Sequence, residues 1–178
     1  IIEFIEANYR QPFFVYHYHY AVHTPIEAKA ERIAKYKARK PSGQNNPTYA
    51  AMIESMDDSV GAVCDKLDEL ALSDNTVVFF FSDNGGYGNA TSMAPLRGSK
   101  GMLYEGGIRV PCIVVWPGLT KPGSRSDEII QASDFYATLL KALNIGLPKD
   151  HKVDGIDIRK ALKGGKLERE AIFTYFPH

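Results

Sequence analysis

The feature that most narrows the fold is the run TVVFFF at residues 76–81, bounded by Ser73-Asp74-Asn75 upstream and Ser82-Asp83-Asn84-Gly85-Gly86 downstream. A run this short is a strand rather than a buried helix. It has no polar face, so both faces need cover, which is the situation of a central strand in a layered sheet. The segment before it supplies candidate cover. Ile53, Met56, Val60, Val63, Leu67 and Leu70 recur at three and four residues, the spacing of one apolar stripe on a helix. Asn46 or Thr48 can cap the start of that helix, and the Ser73-Asp74-Asn75 turn ends it.

The alternation of helix and strand continues along the chain. Residues 1–10 place Ile1, Ile2, Phe4 and Ile5 as the tail of an amphipathic helix does. PFFVYHYHYAV, rich in aromatic and β-branched residues, predicts a buried strand from Pro12 to about Ala21 that delivers His23-Thr24-Pro25 to a strand end. Residues 28–46 turn polar and basic and read as a surface excursion broken by Pro41, Ser42 and Gly43. VPCIVVW at 110–116 predicts a second core strand, with Pro111 at its beginning. Ser133 can cap a helix running through Phe135, Leu139, Leu140 and Leu143, with Gly146 past its end. A short helical turn at 158–162 and a last strand at 171–176 complete the pattern. The fold class is therefore an α/β layered sheet, and 178 residues suit one core.

Composition removes several functions. Twenty-one basic residues balance twenty-one acidic ones, so no net field draws the chain to nucleic acid or an anionic membrane. The cluster KAERIAKYKARK at 29–40 has the spacing of a solvated face rather than a nucleic-acid patch. No apolar run approaches the roughly eighteen residues of a transmembrane helix. Cys64 and Cys112 fall in no metal or redox spacing, and both read as small core residues. The first residues begin in mid-pattern without an initiator Met or a cleavage site, so the numbering is expected to start inside a longer protein.

Four residues could carry chemistry. Asp83 and Asn84 follow an apolar strand directly, where ligands of open α/β sheets bind. A carboxylate beside a carboxamide offers hard oxygens suited to Ca²⁺, less to Mg²⁺, although D-N-G-G is equally good as a plain turn. His23, stiffened by Pro25, could protonate a leaving group or serve as a hydrogen-bonded structural residue. Lys100, between glycines in Arg97-Gly98-Ser99-Lys100-Gly101, suits an oxygen of sulfate or phosphate, or is a surface loop residue. His17 and His19 share one face by alternation and read as structural. Glu105 and Arg109 could form a supporting ion pair beside the site, but read better as a pair that only fixes the loop.

Taken together, VHTP at 22–25, YAAMIESMDDSVG at 49–61, FFSDNGG at 80–86 and RGSKGMLYEGGIRVPCIVVWPG at 97–118 resemble the sulfatase family of the alkaline-phosphatase-like superfamily. The likeness continues through SDFYATLL at 133–140 and DGIDI at 154–158. It implies an α/β sandwich with a central, mostly parallel or mixed sheet. It also implies Asp83 and Asn84 as calcium ligands, and Lys100 and His23 as catalytic and substrate-binding residues at the sulfate group. The implied reaction is hydrolysis of a sulfate ester by a formylglycine made from Cys or Ser. The signature of that residue, Cys or Ser followed by x-P-x-R, is absent: Cys64 precedes Asp-Lys-Leu and Cys112 precedes Ile-Val-Val. The early Asp-Asp pair of metal ligands is missing too.

The expectation is thus one partial catalytic domain over residues 1–178, incomplete at the N-terminus and without the C-terminal subdomain. Such a chain alone should be inactive. Its substrate would be a small sulfate ester or a sulfated glycan, in a periplasmic, secreted or lysosomal setting. Two other functions fit the same residues: a phosphodiesterase or phosphonate hydrolase of the superfamily, or a domain that binds sulfated glycans without cleaving them.

Overall fold

The computed structural model describes residues 1–41, 43–150 and 152–175. Two compact units emerge: Ile1–Thr76 together with Asn84–Arg109, and Val77–Asp83 together with the chain from Val110 onward.

The spine of the first unit is the long helix expected from the apolar stripe. Counting α1 (Ile2–Asn8) and α2 (Ala30–Lys37) before it, this is α3 (Pro47–Glu69). Asn46 is its cap: the side-chain oxygen accepts from the backbone N–H of Thr48 and of Tyr49, both at 3.1 Å, and Pro47 takes the first helical position where no N–H is needed. Tyr49, Ala51, Met52 and Leu67 are the buried residues of α3, while Ile53 of the expected stripe is 38% exposed. Cys64 is exposed rather than a core residue, because it lies one position past Val63 and off the buried stripe. Cys112 is half-buried, and burial pushes its thiol pKa up.

The basic excursion contains a helix. None of the residues of α2 is buried, and it is tied to α3 by charge: Arg32 pairs with Asp58 at 2.5 Å and Lys35 with Glu54. At the other end of α3, Lys66 bridges Glu6 of α1 at 2.8 Å and Glu69 at 2.6 Å. The aromatic segment 13–20 forms no strand. Phe13, Val15 and His19 are half-buried while Phe14, Tyr16, Tyr18 and Tyr20 are 68–79% exposed. The alternation is that of extended backbone, but strand propensity needs a neighbouring ladder, and none pairs with this segment among the described residues. His17 and His19 do share a face, with ring centroids 4.2 Å apart.

In the second unit, β1 (Val78–Phe81) pairs with β2 (Cys112–Val115), with Phe79 opposite Val114 and Phe81 opposite Cys112. The pair is antiparallel, as a mixed sheet allows; an apolar run reports burial but not direction. Helix α5 (Ser133–Ala142) covers one face, its Phe135 ring lying 4.8 Å from Phe79 and 4.9 Å from Phe81. On the other face Ile113 and Val115 are 60% and 52% exposed, so the described residues do not cover both sides.

Ser133 is not the cap of α5. Ala132 holds the cap position and no side chain caps the helix; Asp134, in its first turn, instead accepts from the Gln131 N–H at 2.8 Å and, across the unit, from the Ile156 N–H at 2.9 Å. One turn later the Thr138 hydroxyl accepts from the Ile158 N–H at 3.0 Å. The i, i+4 spacing puts both side chains on one face of α5, where they hold residues 156–158. Arg169 then grips both oxygens of Asp134 at 2.6 Å. Helix α6 (Arg159–Leu162) matches the expected turn, and residues 171–175 form no strand. Phe176, the end of that expected strand, lies outside the described residues.

Candidate active site

β1 ends at Phe81, so Ser82 and Asp83 leave the sheet and Asn84 opens the loop 84–109. That loop is held by backbone packed on backbone. Gly85 N–H donates to the Gly107 carbonyl at 2.9 Å and Gly106 N–H to the Arg97 carbonyl at 2.7 Å. A Cβ on Gly85 would lie 1.8 Å from the Gly106 oxygen, and one on Gly106 2.2 Å from the Gly98 oxygen. Only a residue without a side chain permits such approach. The glycines after Asn84 therefore answer the second glycine pair, Gly106-Gly107, in addition to turning the chain.

This packing ties Lys100 to the start of the loop. Its backbone N–H donates to the Gly86 carbonyl at 3.0 Å, two residues beyond Asn84. Lys100 is exposed, and the flanking Gly98 and Gly101 take positive φ of 81° and 86°. Nearby, the Arg97 guanidinium lies 3.8 Å from the centre of the Tyr104 ring. Helix α4 (Glu105–Ile108) closes the loop, and Glu105 bonds Arg109 at 3.0 Å across one turn on its exposed side. The expected ion pair is thus formed.

His23 sits in a separate turn whose bonds are local. Its N–H donates to the Tyr20 carbonyl at 2.9 Å, and its Nδ1 lies 2.9 Å from the Thr24 carbonyl, which also accepts from the Tyr20 hydroxyl at 2.6 Å. A carbonyl only accepts, so Nδ1 carries the proton in that bond. The other nitrogen, Nε2, is left to a ligand on this exposed side chain.

The fold thus couples Asn84 to Lys100 through Gly86, leaves Asp83 exposed where β1 ends, and carries His23 on a turn of its own. Among the described residues no group of three or more His, Cys, Asp or Glu could hold a metal ion. Asp83 and Asn84 fit a hard cation in kind, but two oxygen side chains fall short of the six to eight that Ca²⁺ takes.

A family model, Sulfatase, matches residues 1–145. The chain belongs to the sulfatase family. It is 36% identical over 182 residues to a sulfatase of Formosa agariphila, covering 93% of this chain and 33% of that one. It is 32% identical to the N-acetylgalactosamine-6-sulfatase of the dog, covering 93% and 31%. Among solved structures, Ps i-CgsB in complex with k-i-k-neocarrahexaose superposes with a TM-score of 0.84 at 31% identity, covering 93% of this chain and 37% of that one. This sulfatase chain spans about a third of the length of the relatives it matches. The strings that carried the family likeness have visible work in it. FFSDNGG and RGSKGMLYEGG interlock through their glycines, and SDFYATLL and DGIDI are joined by Asp134 and Thr138.

Sequence reasoning missed the supports of this site. The repeated glycine pair at 85–86 and 106–107 was the available signal for the interlock. Nothing local marked Thr91, which accepts from the Gln44 side chain at 2.8 Å.

Proposed function

We propose that this chain is part of a sulfatase that hydrolyses sulfate esters, contributing metal ligands and anion contacts to the active site. The observation that carries the reading is the Gly86–Lys100 hydrogen bond, which fixes the backbone of Lys100 to the loop that begins at Asn84 in a member of this family. Asp83 and Asn84 would hold Ca²⁺, with further ligands from outside the chain. When bound, the ion polarises the sulfate oxygens. Lys100 places its ammonium against charge that builds on those oxygens, and a preorganised cation stabilises the transition state more than the ground state. His23, its ring held through Nδ1–H, would act as an imidazolium, giving its Nε2 proton to the departing alcohol oxygen and becoming neutral.

The nucleophile, a formylglycine, would come from residues outside this chain, and residues 1–178 alone would have no turnover. Two of the similar proteins support a saccharide sulfate as substrate: one is named for N-acetylgalactosamine 6-sulfate chemistry and another is solved with neocarrahexaose. No helix among the described residues is long and apolar enough to cross a membrane. The family supports a periplasmic, secreted or lysosomal place for the protein.

The test is to assay the full-length protein with 4-nitrophenyl sulfate and 4-nitrophenyl phosphate, with and without a calcium chelator. The reading expects calcium-dependent release from the sulfate. Preference for the phosphate would transfer the protein to phosphoester hydrolysis, and hydrolysis by residues 1–178 alone would refute the external nucleophile.

A further inference from the structure

The basic cluster at the end of α2 is only partly consumed by structure. Arg32 and Lys35 are neutralised by Asp58 and Glu54 of α3. Lys37, Arg39 and Lys40 have no carboxylate partner among the described residues, and all three are exposed. Arg39 and Lys40 line a cleft of ≈ 210 Å³ with Tyr36, Gln44 and Asn45. The Arg39 guanidinium is held over the Tyr36 ring, 5.2 Å from its centre, which restrains a long side chain before any ligand arrives.

Within one unit, this cleft is tied to the loop that carries Lys100. Gln44 accepts from the Asn46 N–H at 2.7 Å and donates to the Thr91 hydroxyl at 2.8 Å. Thr91 in turn packs on Gly86, where an added Cβ would lie 2.6 Å from its methyl carbon. Gly86 is the residue that accepts from the Lys100 N–H. One wall of the cleft is therefore joined, side chain to backbone, to the loop that positions Lys100.

We infer that Arg39 and Lys40 form a second anion subsite, which binds a sulfate group of a sulfated oligosaccharide other than the group hydrolysed. The inference rests on the sulfatase reading above. Arg39 offers a planar fork of donors that matches a tetrahedral oxyanion, Lys40 adds a point charge, and the Asn45 amide can bond a sugar hydroxyl. A substrate with a single sulfate group leaves the subsite unfilled, so the subsite would act on affinity for multiply sulfated substrates.

The experiment compares the full-length protein with the Arg39→Ala/Lys40→Ala variant. Three substrates are used: neocarrahexaose, a heparin-derived hexasaccharide and 4-nitrophenyl sulfate. The expected result is that the ratio of KM for at least one hexasaccharide to KM for 4-nitrophenyl sulfate rises roughly 10- to 100-fold, the loss appropriate to charge-assisted hydrogen bonds. Binding of that hexasaccharide to the unaltered protein should also fall when it is chemically desulfated. An unchanged ratio for both hexasaccharides while 4-nitrophenyl sulfate is hydrolysed overturns the subsite alone. Equal weakening of a single-stranded oligonucleotide would mark a general anion patch and overturn the saccharide assignment. If the unaltered protein cleaves none of the three, the sulfatase reading fails and the subsite falls with it.

Discussion

At the scale of single residues, the candidates for the site were readable because candidacy depends on side-chain type and short spacing. Asp83 and Asn84 after an apolar run, and Lys100 among glycines, were visible as candidates before any contact was known. What each touches was not. That Nδ1 of His23 faces the Thr24 carbonyl, leaving Nε2 for a ligand, is a matter of ring orientation. Two outcomes follow in the full-length protein. Lys100→Ala should lower kcat/KM for a sulfate ester by roughly 10²- to 10³-fold, the usual loss for one preorganised oxyanion contact, as steady-state kinetics will show. His23→Ala should lower kcat by about 10²- to 10⁴-fold for esters of poorly acidic alcohols and much less for 4-nitrophenyl sulfate, whose leaving group scarcely needs a proton. Equal losses across a series of leaving groups would remove His23 from that role.

At the scale of elements, local rules succeeded where the element is defined by its own residues. The α3 stripe, its Asn46 cap and the β1 run are all of that kind. Failure came where an element needs a partner. The aromatic segment 13–20 has strand composition yet pairs with nothing among the described residues, and the antiparallel direction of β1 and β2 could not be read beforehand because burial patterns carry no direction. The glycine loop lies between these cases: its sequence showed two glycine pairs but not that they meet. Gly85→Ala tests this meeting. With the Gly106 oxygen 1.8 Å from the new Cβ, and that oxygen belonging to backbone, the loop must shift. A loss of at least about 3 kcal/mol in urea unfolding is expected, or local melting of 84–109 seen as faster amide exchange. An alanine variant with unaltered stability and exchange would show the glycines are not in contact.

At the scale of the whole molecule, the most consequential contact away from the site joins residues 35 apart in the chain: Arg169 and the fully buried Asp134. Burial pushes the Asp134 pKa up, but the Arg169 guanidinium and the backbone N–H groups of Ile156 and Gln131 outweigh it, and the carboxyl is held below its ordinary 3.8. A group with a lowered folded pKa contributes stability that is complete above its unfolded value and lost as pH falls through the folded one. The midpoint of unfolding should therefore decline below about pH 4 more steeply in the native protein than in an Asp134→Asn variant. At neutral pH, Arg169→Met strands a buried carboxylate and should cost about 3–5 kcal/mol by urea unfolding. Retained stability in that variant would show that the backbone donors suffice. The sequence by itself determined the helices with regular stripes and caps, the presence of β1, and family membership, since periodicity, capping and contiguous motifs are written in neighbouring residues. Tertiary structure alone decided which way the strands pair, which sheet face α5 covers, why glycines recur at 85 and 106, and what Asp134 holds. Each of those depends on atoms brought together from distant parts of the chain, and no local pattern records which distant group will arrive.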